Sequence, residues 1–250
     1  MHQMAAASNI QQLILGDEKK WTTFQALHDF SKITSLCLSH QHLHAIPCML
    51  KMYHLKDLDL SHNELAVLAP NRLPSSISKL DLSWNNICEV GKSFKNQFTK
   101  TVSSSLANKP HLTDLNLSHN KISKLVDNVF LNSSKIKNLD LSFNFLTRHF
   151  SPLAGLHCLE ELDFSHNQIS SHNELSCLSA CLNLRSLDLA ENPIVAIGYH
   201  ANLIMKLLPS KSLTISKSCS NLKTLVLLIL KCRNKRTRMV KKLAMAKRRQ

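Results

Sequence analysis

The sequence predicts an α/β solenoid: a curved parallel sheet on the concave side, helices or 3₁₀ turns on the convex side, and about seven or eight coils. Three observations lead there. An eleven-residue phrase recurs, made of an apolar residue, two variable positions, Leu-x-Leu, a polar pair, Asn, one further residue and an apolar side chain. The first Leu of Leu-x-Leu falls at Leu13, Leu36, Leu58, Leu80, Leu115, Leu139, Leu162 and Leu187, in steps of 23, 22, 22, 35, 24, 23 and 25 residues. All steps but one lie in the ~20–29 residue range of a strand-and-turn coil. Within each phrase the apolar residues alternate, which is the period of a strand.

Taken in order, residues 1–32 form an N-terminal segment with a degenerate first copy, IQQLILGDEKK, which keeps only Leu13 and Leu15. ITSLCLSHQHL from Ile33 fits but has Gln41 where later copies have Asn. LKDLDLSHNEL, ISKLDLSWNNI, LTDLNLSHNKI, IKNLDLSFNFL, LEELDFSHNQI and LRSLDLAENPI follow from Leu55, Ile77, Leu112, Ile136, Leu159 and Leu184. In the first of these, alternation turns Leu58 and Leu60 to one side and Asp57, Asp59 and Ser61 to the other. One coil cannot cover its own apolar face, so stacked coils must bury it jointly. The recurrent Asn63, Asn85, Asn120, Asn144, Asn167 and Asn192 carry both donors and an acceptor. They are expected to form a structural ladder satisfying backbone groups where the chain leaves each strand. The long step, residues 91–110, spaces Phe94, Phe98, Val102 and Leu106 four apart, as one face of a helix ended near Asn108 and Pro110. It reads as an enlarged convex helix, with a protruding partner-binding insert as the alternative.

This pattern resembles the leucine-rich repeat family over about residues 10–215, and short copies of this kind are most similar to its intracellular SDS22-like and typical subclasses. The resemblance implies a leucine-rich-repeat domain over 33–215. ENPIVAIGYHANLIMKLLPS from Glu191 is similar to the C-terminal cap of intracellular members, placed at 191–215. A cap is needed because the last coil otherwise exposes its core.

Residues 216–250 read as a basic tail. Residues 1–210 hold 18 Lys and Arg against 17 Asp and Glu, whereas 211–250 hold 13 and none, so nearly all of the net +14 sits at the C-terminal end. Lys235, Arg236, Arg238, Lys241, Lys242, Lys247, Arg248 and Arg249 are its densest part. Such a run serves nuclear import, calmodulin, acidic lipid or RNA, or is a solvated terminus. It lacks aromatic residues for stacking bases, so contact with nucleic acid or acidic membrane is the weaker expectation. Leu222–Leu230 is apolar but well short of the ~18–20 residues that span a bilayer, and its LKTLVL is open to reading as one more strand. The N-terminus shows no basic segment followed by a long apolar core. The eight cysteines are scattered rather than clustered as disulfide caps, which suits reduced thiols. Cys177 and Cys181 are spaced for one helix face. The expected location is therefore the cytoplasm, with nucleus or cilium as alternatives, and not secretion. Asn116-Leu-Ser and Asn132-Ser-Ser match the glycosylation tripeptide, which an intracellular chain does not use.

Alternation also names the residues expected on the concave surface. One column holds Cys37, Asp59, Asp81, Asn116, Asp140, Asp163 and Asp188; beside it stand Asp57, Lys79, Asp114, Asn138 and Glu161. Ser39, Ser61, Ser83, Ser118, Ser142 and Ser165 are expected to form a third row, and His40, His62, Trp84, His119, Phe143 and His166 a fourth. The expected partner-binding set is Asp57, Asp59, Asp81, Trp84, Asp114, Asn116, Asp140, Phe143, Asp163 and Asp188. Stacked carboxylates favour a basic partner, and eight strands at ~4.8 Å give a strip long enough for a helical or extended segment. Against this, Leu-Asp-Leu-Ser is also ordinary repeat wording. Trp84 and Phe143 are either interface anchors or lateral packing.

A column of histidines spread over several coils does not converge on one ion, so no metal is expected. No Cys-x-x-Cys pair, Gly-rich phosphate loop or Ser-His-Asp grouping occurs, so neither cofactor nor catalysis is expected. The function expected is a non-catalytic protein-interaction scaffold or adaptor, of phosphatase-regulator or ciliary and cytoskeletal kind. The alternatives are a tether acting through the basic tail and an accessory subunit of an enzyme complex.

Overall fold

A computed structural model describes residues 32–90, 106–196 and 214–215. Each copy of the phrase makes one short strand: β1 Ser35–Cys37, β2 Asp57–Asp59, β3 Lys79–Asp81, β5 Asp114–Asn116, β7 Asn138–Asp140, β8 Glu161–Asp163 and β9 Ser186–Asp188. With β10, Thr214–Ile215, they form an eight-stranded parallel sheet in the order β1-β2-β3-β5-β7-β8-β9-β10. The register is the one that repeat spacing demands, Leu36↔Leu58↔Leu80↔Leu115↔Leu139↔Leu162↔Leu187. A second, two-stranded parallel sheet pairs β4 (Glu89–Val90) with β6 (Lys124–Leu125), on either side of the long step.

The central Leu of each strand points inward. Leu55, Leu60, Leu65, Ile77, Leu82, Leu112, Leu117, Leu141 and Leu184 are fully buried behind it. The core is therefore one continuous column rather than a set of separate repeat cores. Each such side chain contributes about 1.5–3 kcal/mol by leaving water, which only stacking makes available. Phe164 stands where other copies have Leu and packs on Phe150, ring centroids 4.9 Å apart. The convex side carries 3₁₀ helices at Ser151–Gly155 and His172–Ala180.

The recurrent Asn are buried and occupied. Asn144 donates from Nδ2 to the carbonyls of Leu117, Leu141 and Ser142, and its Oδ1 accepts from Ile122 N–H. The same pattern holds at Asn63, Asn85, Asn120, Asn167 and Asn192. Gln41, the one departure, reaches the Ser39 carbonyl through Nε2, and its Oε1 is buried with no hydrogen-bond partner.

Two details differ from the sequence expectation. The serine row is not on the concave surface: Ser61, Ser83, Ser118, Ser142 and Ser165 are buried. Each strand is only three residues long, so the chain has turned inward before it reaches Ser, and alternation no longer applies. β10 is also unforeseen, since Leu213-Thr-Ile215 is followed by no Asn. The first copy, the greater part of the expected helix at 91–110, most of the cap and the basic tail lie outside the described residues. Leu106 is in the core, and Ser133 Oγ ties the chain there by bonding Leu106 O at 2.7 Å and Lys109 N–H at 3.0 Å. Of the cap, a short helix at Pro193–Ala196 is described.

Candidate functional site

The strands present their outward residues along one groove. It is lined by Asp57, Asp59, Asp81, Asp114, Asn116, Asp140, Asp163 and Asp188, together with Lys79, Asn138 and Glu161. Eight of the expected ten partner-binding residues thus come together on the strand surface. Eight carboxylates and one ammonium line it, although the first 210 residues are almost neutral.

The inner Asp column has a structural task as well. In each of these coils the first carboxylate oxygen accepts the N–H two residues on: Asp59 from Ser61, Asp81 from Ser83, Asp140 from Ser142, Asp163 from Ser165 and Asp188 from Ala190, at 2.8–2.9 Å. Asn116 does the same with its amide oxygen, accepting from Ser118 at 3.0 Å. An amide therefore suffices for the turn, and the negative charge at the other positions is not required by it.

Two members of the column, Asp59 and Asp163, have opposite electrostatic surroundings. Burial pushes the Asp59 carboxyl up, but the Ser61 hydroxyl and N–H, the Cys37 thiol and nearby His40 outweigh it and hold it below the ordinary carboxylate value. Asp163 lies above that value: burial raises it, the Ser165 bonds pull it back, and the charges of Asp140 and Asp188 raise it again. On one border of the strip, Glu160 bridges Lys137 and Arg185, each at 3.1 Å.

On the other border the expected ring residues form a continuous stack. His40, His62, Trp84, His119, Phe143 and His166 lie nearly parallel, with interplanar angles of 9–13° and successive centroids 4.2, 5.2, 3.8, 4.1 and 3.9 Å apart. The backbone imposes this arrangement. Each of these residues donates its N–H to the carbonyl of the Ser (or Ala190) in the next coil, continuing the parallel ladder through the turn. The strand spacing of ~4.8 Å is thereby handed on to the rings. All six, and Glu191 in the same register, have φ between 52° and 57°. That left-handed conformation is tolerated by His and Asn but is an outlier for rings as bulky as Trp and Phe. Trp84 is 50 % and Phe143 42 % exposed, so their stacking partners are the flanking imidazoles rather than an apolar interior.

Sequence reasoning found every member of this row but not the stack. Of the two expectations for Trp84 and Phe143, interface anchor or lateral packing, the structure shows lateral packing on rings of the same row, with His119 filling the space between them. The signal was there: a ring at one phrase position in six successive coils. Burial lowers the His119 pKa below the usual imidazole value; Asp140 opposes that, and His166 and His62 reinforce it. On the convex side the Cys177 thiol donates to Phe150 O at 3.1 Å and Cys181 to Leu153 O at 3.4 Å. Burial pushes both up to about 11, so neither is an activated nucleophile. Among the described residues no helix is long and apolar enough to cross a membrane, and no group of three or more His, Cys, Asp or Glu is placed to hold a metal ion.

Comparison with known proteins gives a consistent picture. The family model described as Leucine rich repeat matches residues 110–169, and a second of that description matches 54–80 and 158–181. Toll-like receptor 4 of Sus scrofa is 28% identical over 169 residues, 67% of this chain and 18% of its own. Fibromodulin of Sus scrofa is 32% identical over 126 residues, covering 49% of this chain and 77% of its own length. The chain spans well under half the length of the curated relatives it matches first. Among solved structures, the TLR13 chain of a TLR13–ssRNA13 complex superposes with a TM-score of 0.53 at 27% identity, covering 64% of this chain and 22% of that one.

Proposed function

The chain belongs to the leucine-rich repeat family, and from that premise we propose that it is a non-catalytic scaffold whose concave face takes a basic, extended or helical segment of a protein partner. The observation that carries this is the gathering of eight carboxylates on one strand surface of an otherwise balanced repeat array. Charge of one sign along a groove speeds the encounter with an oppositely charged segment and fixes its orientation. The relatives cited are named as receptors and as fibromodulin, and this supports a binding role of that general kind. Within that class we place it as a regulator of the phosphatase-regulator or cytoskeletal type, acting in the cytoplasm. The thiols of Cys177 and Cys181, held as donors to buried carbonyls, suit a reducing compartment.

The turn chemistry supplies a clean test. Asn116 already serves in the Asp column, so changing Asp59, Asp81, Asp140 and Asp163 together to Asn removes four charges and keeps every turn acceptor. The variant is expected to keep its melting temperature within a few degrees and to lose its basic partners on affinity purification from the native cell. An unchanged set of partners overturns the concave-face assignment.

A further inference from the structure

We infer that the ring stack is an acid-sensitive gate on the concave face: when its histidines protonate, positive charge arises along the border of the carboxylate strip and a basic partner is released. This rests on the concave face binding a basic segment, as proposed above.

Three observations lead to it. First, the stack and the strip touch electrostatically. Each ring stands three residues after a member of the inner column in strands paired in register, so the two columns run side by side. His40 bears on Asp59 and Asp140 on His119 through charge. Imidazole is the side chain that changes charge between pH 5 and 8, so acidification in that range alters the strip without touching its carboxylates.

Second, the order of rings lessens the repulsion between charges, although burial, with His166 and His62 still acting across the intervening rings, holds His119 low. Adjacent imidazolium groups at about 4 Å repel. Here Trp84 separates His62 from His119, and Phe143 separates His119 from His166. An imidazolium between aromatic faces gains cation–π attraction where another imidazole gives repulsion. Only His40 and His62 are in direct contact, and His40 has the Asp59 charge beside it.

Third, the bulky rings are costly where they stand. A left-handed φ at Trp84 and Phe143 is strain that Asn does not incur, and strained positions held in place by their surroundings gather at functional sites.

The other charged groups around the stack do not cancel the effect. On the strand side stand Asp59, Asp81, Asp140, Asp163 and Asp188. On the turn side, two residues further on, are His42, Glu64 and Lys121, with Glu64 held by His42 at 2.9 Å and His44 at 3.3 Å. Glu191 continues the register at the C-terminal end.

The test is binding of a fluorescein-labelled oligolysine peptide to the full chain, followed by anisotropy between about pH 7.5 and 5.5. The wild type is expected to bind at the upper pH and to weaken about tenfold at the lower. The variant His40→Asn, His62→Asn, His119→Asn, His166→Asn keeps left-handed-tolerant residues and is expected to bind equally at both. Absence of binding at the upper pH overturns the concave-face reading and this inference with it. Binding that ignores pH in the wild type, or that weakens just as much in the variant, overturns the gate alone. Should the variant fail to fold, NMR titration of the wild-type imidazole C–H signals decides. Signals of stack histidines that move between these pH values in step with peptide release support the gate, and signals that stay fixed overturn it.

Discussion

Two ladders run side by side through this molecule, one residue apart in sequence. The inner one is Asn in six successive coils, from Asn63 to Asn192, buried and fully bonded. The outer one, from His40 to His166, reads His, His, Trp, His, Phe, His and borders the open face. Both are set by the same coil spacing, so geometry does not explain why one is uniform and the other varied. The bonding requirement does. An inner side chain must share two N–H among three carbonyls and accept one N–H in a space without water, and among side chains of that size only Asn carries two donors beside an acceptor. The outer position asks only for a left-handed backbone and a flat group that stacks, a demand that several residues meet at different cost.

The contrast breaks most sharply at adjacent residues of one coil. Asn144→Ala strands Ile122 N–H and takes one of two donors from each of the Leu117 and Leu141 carbonyls, which keep Asn120 and Asn167. It is expected to cost about 1–3 kcal/mol in urea unfolding, because a buried N–H loses its partner. Phe143→Asn, one position earlier, gives up stacking worth about 0.5–1.5 kcal/mol but relieves left-handed strain of roughly 1–2 kcal/mol, so its effect is expected within about 1 kcal/mol of zero. Equal losses at the two sites would show that the stack holds the fold as the Asn ladder does.

A finer comparison lies within the Asp column. Asp59 is below the ordinary carboxylate value of 3.8 when folded, so it adds stability above that value and loses it as the pH falls. Asp163 is above 3.8 when folded, so its contribution is present in acid and lost as the pH rises through 3.8 to the folded value. Asp59→Asn is therefore expected to lower the melting temperature at neutral pH and Asp163→Asn to raise it. Both differences should be under about 1 kcal/mol, since the groups are partly solvated, and both should close in acid. Melting curves across that range check the opposite signs.

How much of this was legible in the sequence follows from what each feature depends on. The strand leucines and the Asn ladder depend on burial and a fixed coil length, and both leave a periodic trace. The strand ends do not. Ser61 and its equivalents were expected outside because alternation was carried past the third strand residue, where the strand has already ended. The stack needed the backbone angle as well as the column, since six rings at one position could equally have splayed into solvent. The Asp column was legible as a charge strip but not as a set of turn acceptors, because the i to i+2 bond has no separate sequence mark from Leu-Asp-Leu-Ser itself.

The Asn ladder also has a direction. Asn85 takes Leu65 N–H and the Leu60 carbonyl, Asn120 takes Ile87 N–H and the Leu82 carbonyl, and Asn192 takes Ile169 N–H and the Phe164 carbonyl. Every such bond between coils reaches toward the N-terminus. A coil leaving the ribosome therefore has open polar groups until the next coil arrives and closes them. Each turn of the array is closed by the coil that follows it in sequence.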